Sequence, residues 1–480
     1  MSSSRYTELP EAAPAARERE RASALAAGAL MVLAVGLLAA PVAWNGFAFI
    51  YHDSIDYLGL TFTWQMPEFR TAAYGLFAGI GHLAGNPTAI VLAQSALVVA
   101  IIALCVRAQF PQARFPAAFA VTMMAALCGG ISLFASQIMA DVFAGAAVLG
   151  LCSLMLFADG LSPWRRYILA LACAVAVAVH TSHVGTAVGL LGLGLAARLV
   201  HRRWPAVPPV RLREALLCVC AAIAFAVAGN AYVTGRPFLT QPATVQSLGM
   251  FVEGGVAKAY LDHHCADASE YGEQAPFRLC AYRNALPRTA NEFLWNRITS
   301  PLYALGGWNA VRGEAEAVVD GALETMPGAV ARQALDLTLA QLFMLDPGDG
   351  LEPRSPYYLQ HIGAWYPHDA RAFQNSRQQR GIDFSLLNWP TRAVMGSSLA
   401  VLLVFMLAAR RAPRQALFAG AILAAVLGNA FICGALSNPN HRYQGRMVWL
   451  VASAAVMLIF SGTTSGRPAR RETAPQPGSV

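Results

Sequence analysis

The sequence predicts an all-α polytopic membrane protein, and three observations indicate this fold class. Hydrophobic residues make up 56% of the 480 residues and charged residues only 13%, which is too little charge to cover the surface of a soluble protein. Ten apolar runs approach the length that a helix needs to cross a bilayer. Arginine-rich connections alternate with arginine-poor ones along the chain, as a multi-pass topology requires.

The apolar runs define two membrane-embedded parts of the chain. The first run is too long for the core of a signal peptide and lacks a convincing cleavage site, so we expect it to remain as the first helix. An N-terminal transmembrane module of about seven helices is predicted over 22–231, and C-terminal transmembrane helices over 393–461. The predicted spans are 22–50, 87–106, 115–136, 142–158, 167–181, 184–200, 214–231, 393–409, 415–435 and 447–461.

The positive charge predicts the orientation. The formal charge is +8 and is carried almost entirely by arginine, since Lys258 is the only lysine. In a membrane protein such charge marks the cytoplasmic side, so we expect no nucleic-acid partner. Both termini, including the predicted disordered tails 1–21 and 462–480, then face the cytoplasm of a bacterial inner membrane. The arginine-rich connections are 107–114, 165–166, 198–213, 410–414 and the C-terminal tail.

The opposite, periplasmic face then carries a first loop, 51–86, and a large segment, 232–392, for which we predict a mixed, mostly helical domain. A helix is predicted from Pro327, because proline suits the first helical position, and 346–390 reads as ordered loop. Cys265 and Cys280 lie in a polar stretch of this segment. They predict a disulfide, with two free thiols as the alternative.

Candidate catalytic carboxylates lie beside the apolar runs on the predicted periplasmic side. Asp53 and Asp56 are three residues apart and can share one helical face, where one takes a proton or binds a metal and the other orients it. Asp141 lies between two apolar runs, where an acidic residue is costly and tends to have a function. The alternative is that these residues mark the water interface or cap helices.

Basic candidates occupy two other periplasmic turns. His180 and His183 have a spacing that permits shared metal ligation, although hydrogen-bonded interface histidines are more common. His441, Arg442, Tyr443 and Arg446 come directly before the last apolar run. Arginine on the outer side opposes the positive-inside trend, so a bound phosphate is the attractive explanation and anchoring to lipid headgroups is the alternative.

The order of these features resembles the GT-C membrane glycosyltransferases, and the bacterial relatives of protein O-mannosyltransferases and the lipid A aminoarabinose transferase most of all. The sequence Asp-Ser-Ile-Asp-Tyr at 53–57 is similar to the family's acidic element after helix one, although Ser54 replaces the second acid. The stretch 69–74 keeps the family's Arg and Tyr as Arg70 and Tyr74 without its prolines. Three further short matches are Met139–Asp141, Asn230–Arg236 and Arg442–Tyr443.

The resemblance implies a GT-C-like transmembrane bundle that uses a polyprenyl-phosphate sugar donor. Asp53 would act on the acceptor hydroxyl with support from Asp56, while Asp141 would position the acceptor or a metal. The donor and its lipid phosphate would be bound by residues around them: Arg70, Tyr57, Tyr74, His180, His183, His441, Arg442, Tyr443 and Arg446. Displacement at the anomeric carbon would proceed with inversion.

Several points stay open at the level of the sequence. The acceptor can be a lipid, a glycan or a protein, and a divalent metal such as Mg or Mn at Asp53 and Asp141 is an alternative to metal-free catalysis. An O-antigen ligase or polymerase, which would use a lipid-diphosphate glycan, also combines many helices with one large periplasmic loop. A transporter is a third reading, and the clustering of ionisable groups at one membrane face argues against it.

Overall fold

The computed structural model describes residues 14–66, 70–110, 114–240, 243–265 and 275–462, with side chains described from residue 24 onwards. Within these ranges the chain is helical, with no strand and a single isolated bridge between Phe49 and Gln137. Seven helices are long and apolar enough to cross a membrane. The all-α polytopic membrane fold predicted from composition is therefore confirmed.

The helices follow the order of the predicted spans. The long apolar helices are Ala24–Asn45 (the apolar part of Pro14–Asn45), Thr88–Gln109, Thr181–Arg203, Arg213–Thr234, Ser385–Leu407, Pro413–Gly434 and His441–Gly462. Shorter helices complete the bundle: Ala72–Ala84, Phe115–Cys128, Val142–Leu156 and Pro163–Ala178. Every residue of Val142–Leu156 is buried, so this helix lies at the centre of the bundle.

Several helix boundaries differ from those predicted. The first helix begins at Pro14, so the expectation of a disordered tail is wrong for 14–21, while 1–13 and 463–480 lie outside the described residues. The run 115–136 is divided at Gly129 and Gly130, because the backbone of Trp449 packs where a side chain on Gly129 would lie. The last membrane helix begins with the short turn His441–Gly445, well before the predicted residue 447.

The connections between the helices lie at two opposite ends of the bundle. At the arginine-rich end, Phe110 contacts the ring of Phe460, and Gly160 packs directly against the carbonyl of Ala108. At the other end, Phe49 pairs with Gln137, and Thr71 donates a hydrogen bond to the carbonyl of Ala178. The candidate site residues lie at this second end, and the two helices of the first loop, Ser54–Thr63 and Ala72–Ala84, pack there.

The segment 232–392 is mostly helical in its described residues, as predicted, but one part predicted as loop also contains helices. The helix predicted from Pro327 is present as Pro327–Phe343. The stretch 346–390 is not simply loop, since it contains helices at Pro356–Trp365, Ala370–Gln374 and Arg377–Arg380. Its last residues already belong to Ser385–Leu407. Proline at helix starts accounts for part of the error, because we read it as a loop signal.

Residues 244–265 and 275–326 form a small helical subdomain with a hydrophobic core of its own. Its described helices are Thr244–Glu253, Val256–His264, Ala290–Trp295, Pro301–Ala304 and Trp308–Thr325. Cys265 and Cys280 are buried in this core and joined by a disulfide, with Cα atoms 5.6 Å apart. Gln333 donates a hydrogen bond to the carbonyl of Met250 and so ties the subdomain to Pro327–Phe343.

Removal of this disulfide should destabilise the subdomain selectively. We expect the double variant Cys265→Ser/Cys280→Ser to lose about 3 kcal/mol of unfolding free energy, because the closed loop restricts the unfolded chain. Limited proteolysis with and without reductant measures this loss. Cys220→Ser, which changes an exposed free cysteine of a membrane helix, is the control. Equal protease resistance of the double variant and the control would contradict the prediction.

Candidate active site

The backbone around Asp53 is fixed by buried hydrogen bonds. The Ser54 hydroxyl accepts a bond from the Tyr51 amide at 2.8 Å and donates one to the Ile138 carbonyl at 2.9 Å. These bonds attach the chain between the first helix and Ser54–Thr63 to the turn that precedes Asp141. These hydrogen bonds therefore bring Asp53 and Asp141 to the same end of the bundle.

Two arginines bind the carboxylate of Asp53. Nη2 of Arg70 lies 2.6 Å from Oδ1, and Nη2 of Arg442 lies 3.0 Å from Oδ2. Burial alone would raise the pKa of Asp53, but the charges and hydrogen bonds of the two guanidiniums lower it to about 2. The carboxylate is therefore ionised at neutral pH. Its stabilising contribution is present above the ordinary aspartate pKa and is lost as the pH falls towards 2.

Arg442 lies between two aromatic rings. Its guanidinium carbon is 4.2 Å from the ring centre of Tyr51 and 4.7 Å from that of Tyr443, distances at which a cation is attracted to the ring faces. Nε and Nη1 of Arg442 are buried and have no hydrogen-bond partner. Such donors are costly unless a further acceptor satisfies them, so this guanidinium has capacity for an anion.

A second ion pair lies deeper in the bundle. Nη1 of Arg446 is 3.0 Å from Oδ1 of Asp141, and its Nη2 donates to Ser182 at 3.1 Å and to Asn429 at 3.0 Å. The side chain of Arg446 is 0% exposed and that of Asp141 is 4% exposed. Arg446 thus binds protein groups from three helices rather than presenting its charge to the outer surface.

The two ion pairs form one network. Oδ2 of Asp141 lies 4.0 Å from Nη1 of Arg442, which links the deeper pair to the outer one. The network therefore joins Arg70, Arg442 and Arg446 to Asp53 and Asp141, and Asp56 pairs with Arg70 at its outer edge. Three positive charges thus face three negative ones, so the capacity for an anion depends on the buried donors of Arg442 that lack hydrogen-bond partners.

The remaining candidates of the first loop differ in their positions. The hydroxyl of Tyr57 is 3.5 Å from Nη1 of Arg70, so Tyr57 borders the network. Asp56 lies at its outer edge, half exposed, with its carboxylate 3.8 Å from Nε of Arg70. Tyr74 is fully buried and donates its hydroxyl proton to Gln94 at 3.0 Å. Tyr74 is therefore a core residue that packs against Tyr57.

The three candidate histidines do not meet at one point. His180 is hydrogen-bonded through Nδ1 to the Ser182 hydroxyl at 2.8 Å. Nδ1 of His183 is 2.9 Å from the carbonyl of Ala176, which makes it the protonated nitrogen. His441 instead accepts a hydrogen bond from the backbone of the loop after Phe343. The first two lie beside Arg446 through Ser182, and His441 lies beside Arg442.

The residues present do not fit a divalent metal. In the part of the chain that the structure describes, no three His, Cys, Asp or Glu side chains are grouped so that they could hold an ion. Both oxygens of Asp53 already bind guanidiniums, and Asp141 is bound by Arg446. A cation at Asp53 or Asp141 would lie beside these positive charges, so we derive no metal-dependent step.

Two residues that contact the loop around Asp53, Gln378 and Arg354, were not predicted from the sequence. The fully buried amide of Gln378 accepts from the Ile50 amide at 3.0 Å and donates to the Ile50 carbonyl at 2.7 Å. Nη1 of Arg354 lies 3.0 Å from Nδ1 of His52, and burial together with this charge lowers the pKa of His52. An uncharged amide and an arginine in a mixed polar segment carry no periodic signal that would have identified them.

No protein-family model matches this chain, and the comparisons with curated proteins and with solved structures find no match either. The resemblance to GT-C enzymes therefore depends on the short motifs described above. The geometry adds that Asp53, Arg70, Asp141 and Arg442, taken from four of those motifs, are neighbours in space.

Proposed function

We propose that this protein is a membrane glycosyltransferase that moves a sugar from a polyprenyl-phosphate donor to an acceptor. The observation that carries the proposal is the binding of Asp53 by both Arg70 and Arg442, at 2.6 and 3.0 Å. These residues come from the first loop and from the start of the last membrane helix. Such a cluster at one end of a membrane bundle suits a ligand with a phosphate headgroup and an apolar tail.

The donor phosphate would bind at Arg442 and Arg70. A phosphate oxygen against Arg442 would satisfy the buried donors at Nε and Nη1, which lack partners, and guanidinium is the group best suited to bind phosphate through two oxygens. Negative charge grows on that phosphate as the glycosidic bond breaks. Fixed guanidiniums stabilise this charge without having to reorganise during the reaction.

Asp53 would hold the two arginines in the orientation that the leaving phosphate requires. Its carboxylate stays ionised because of these charges, so it fixes both guanidiniums. The acceptor hydroxyl would attack the anomeric carbon from the side opposite the phosphate, which gives inversion. The acceptor is a lipid, a glycan or a protein, and the surrounding membrane lipids hold the polyprenyl chain.

The proposal includes an orientation. The arginine-rich connections lie at the end of the bundle opposite the Asp53 network, as the contacts of Phe110 with Phe460 and of Phe49 with Gln137 establish. By the positive-inside rule the network then faces the periplasm of a bacterial inner membrane, with both termini in the cytoplasm. Cysteine accessibility labelling from the two sides of the membrane tests this orientation.

Transfer from a polyprenyl-phosphate sugar by the purified protein in proteoliposomes is the direct test. We expect wild type to release polyprenyl phosphate in the presence of a membrane extract that supplies acceptors. We expect Asp53→Asn to lower the rate by about 10²-fold or more, because the neutral amide no longer fixes both arginines. Asp159→Asn, at the arginine-rich end where Asp159 pairs with Arg211, is the matched control and should retain the rate.

The competing functions give different results in the same preparation. Turnover of a lipid-diphosphate glycan without turnover of the monophosphate donor would indicate a ligase or polymerase. Uptake of a solute without turnover of either lipid would indicate a transporter. Full activity of Asp53→Asn would contradict the role of the network.

A further inference from the structure

A loop of the large segment lies directly over the charge network. The amide of Asp346 donates a hydrogen bond to Nδ1 of His441 at 3.1 Å. Gly350 has a φ of 76° and packs so tightly on the ring of Tyr51 that any side chain there would overlap it. The guanidinium carbon of Arg442 lies 4.2 Å from the centre of the same ring. Residues 346–350 are therefore held against both the Asp53 loop and the start of the last helix.

The acidic side chains around the network differ in whether a guanidinium binds them. Four of them are bound by guanidiniums at short range: Asp53 by Arg70 and Arg442, Asp141 by Arg446 at 3.0 Å, Asp346 by Arg392 at 2.8 Å and Glu352 by Arg354 at 2.7 Å. For Asp53 the two guanidiniums outweigh burial and lower the pKa of the carboxyl, because they disfavour its protonated form. Asp56 is half exposed at the edge of the network and is also paired with a guanidinium, since its carboxylate lies 3.8 Å from Nε of Arg70.

Asp349 has a different environment. It is partly buried, and the backbone of His441 lies close to its carboxylate. Within the described ranges it forms no ion pair, and the charged or titratable groups that face it are His441, Glu352, Arg442 and Tyr51. Burial raises its pKa, Glu352 adds to this effect, and His441 and Arg442 oppose it. The pKa of Asp349 is thus shifted in the direction opposite to that of Asp53, while Asp349 remains close to Arg442.

We infer that Asp349 is the group that takes the proton from the acceptor hydroxyl, an inference that rests on the glycosyl transfer proposed above. As the acceptor oxygen forms its bond to the anomeric carbon, its proton passes to the carboxylate of Asp349. The bond from the anomeric carbon to the phosphate oxygen breaks, and its electron pair stays on the lipid phosphate beside Arg442. Asp53 then orients the arginines, and Asp349 supplies the base.

The different roles of Asp53 and Asp349 follow from the charged groups around each carboxylate. A single carboxylate cannot both hold two guanidiniums and accept a proton readily, because protonation would break the ion pairs that bind the donor. Two carboxylates in different environments can separate these tasks. The ring of Tyr51 contacts both neighbourhoods, since it packs on Arg442 and against Gly350, the residue after Asp349.

The variant Asp349→Asn tests the inference. We expect its kcat to fall about 10²- to 10⁴-fold, the range for loss of a general base, while its KM for the polyprenyl-phosphate sugar changes less than about threefold because the arginines remain. Asp349→Glu, which restores a carboxylate, should recover part of the rate. The control is Asp336→Asn, an exposed aspartate on Pro327–Phe343, and it should behave as wild type.

The pH dependence supplies a second readout. The rate of wild type should fall at acidic pH as the base is protonated, with an apparent pKa above that of an ordinary aspartate. The small residual rate of Asp349→Asn should lack this acidic limb. An unchanged kcat, or an unchanged acidic limb, in Asp349→Asn would overturn the role of Asp349 while wild-type transfer still supports the proposed function. Absence of transfer in wild type would overturn both.

Discussion

Replacing Arg446 with methionine should prevent most of the protein from accumulating in a folded form. The guanidinium is fully buried and binds Asp141, Ser182 and Asn429. Without it the buried carboxylate of Asp141 would keep only the 4.0 Å contact with Arg442, and removing one partner of a buried ion pair costs about 3–5 kcal/mol. That loss is a large part of the stability of a typical protein. The yield of monodisperse protein after detergent extraction measures the effect.

A double variant distinguishes the effect of the unpaired charge of Asp141 from the effect of the packing that Arg446 provides. In the double variant Arg446→Met/Asp141→Asn the unpaired charge is gone, so we expect much of the folded yield to return. Arg211→Met is the matched control, since Arg211 forms a half-exposed ion pair with Asp159 that is worth about 1 kcal/mol or less. A double variant that folds no better than Arg446→Met would show that packing, rather than the charge of Asp141, determines the loss.

Replacing Arg442 with lysine should lower transfer from a polyprenyl-phosphate sugar by about 10²- to 10³-fold in kcat/KM. Lysine keeps the positive charge but loses the planar fork that contacts Asp53 and lies between Tyr51 and Tyr443. A single fixed donor to a developing negative charge is worth a factor of this size. Kinetics in proteoliposomes with varied donor concentration measure the change.

The same substitution away from the network is the control. Arg312→Lys changes an exposed arginine of the disulfide-linked subdomain and should leave the kinetics unaltered. Retention of more than half of the wild-type kcat/KM by Arg442→Lys would mean that charge alone is sufficient at this position. Arg442 would then contribute as a lipid-headgroup anchor rather than as a shaped phosphate site.

The sequence predicted the bundle of membrane helices and the end of this bundle at which the charged site residues lie. Both follow from local signals, because apolar runs specify membrane helices and charged residues next to them stand out against an apolar background. Asp53, Asp141 and Arg442 were identified in this way, whereas Arg70 was identified only through the resemblance of 69–74 to a GT-C motif. Their partners could not be predicted, since the pair Asp53–Arg442 is separated by 389 residues and no local pattern encodes such a contact.

Other parts of the site escaped prediction for the same physical reason. Gln378 and Asp349 belong to a polar segment without periodicity, so their contacts depend on how that segment folds over the bundle. Arg446 was predicted as a phosphate ligand because it follows Arg442 by one helical turn. In the structure that turn places it inside the bundle, where Asp141, Ser182 and Asn429 bind it.

The long separation between Asp53 and its partners affects how the protein is made. During synthesis the Asp53 loop emerges early, whereas Gln378, which pairs with Ile50, and Arg442 follow more than 300 residues later. Until the last membrane helix is inserted, Asp53 can pair only with Arg70, and Asp141 has no arginine with which to pair. A chain truncated before Arg442 therefore carries an uncompensated acid in its membrane-embedded part. We expect membrane proteases to degrade such truncated chains faster than the full-length protein.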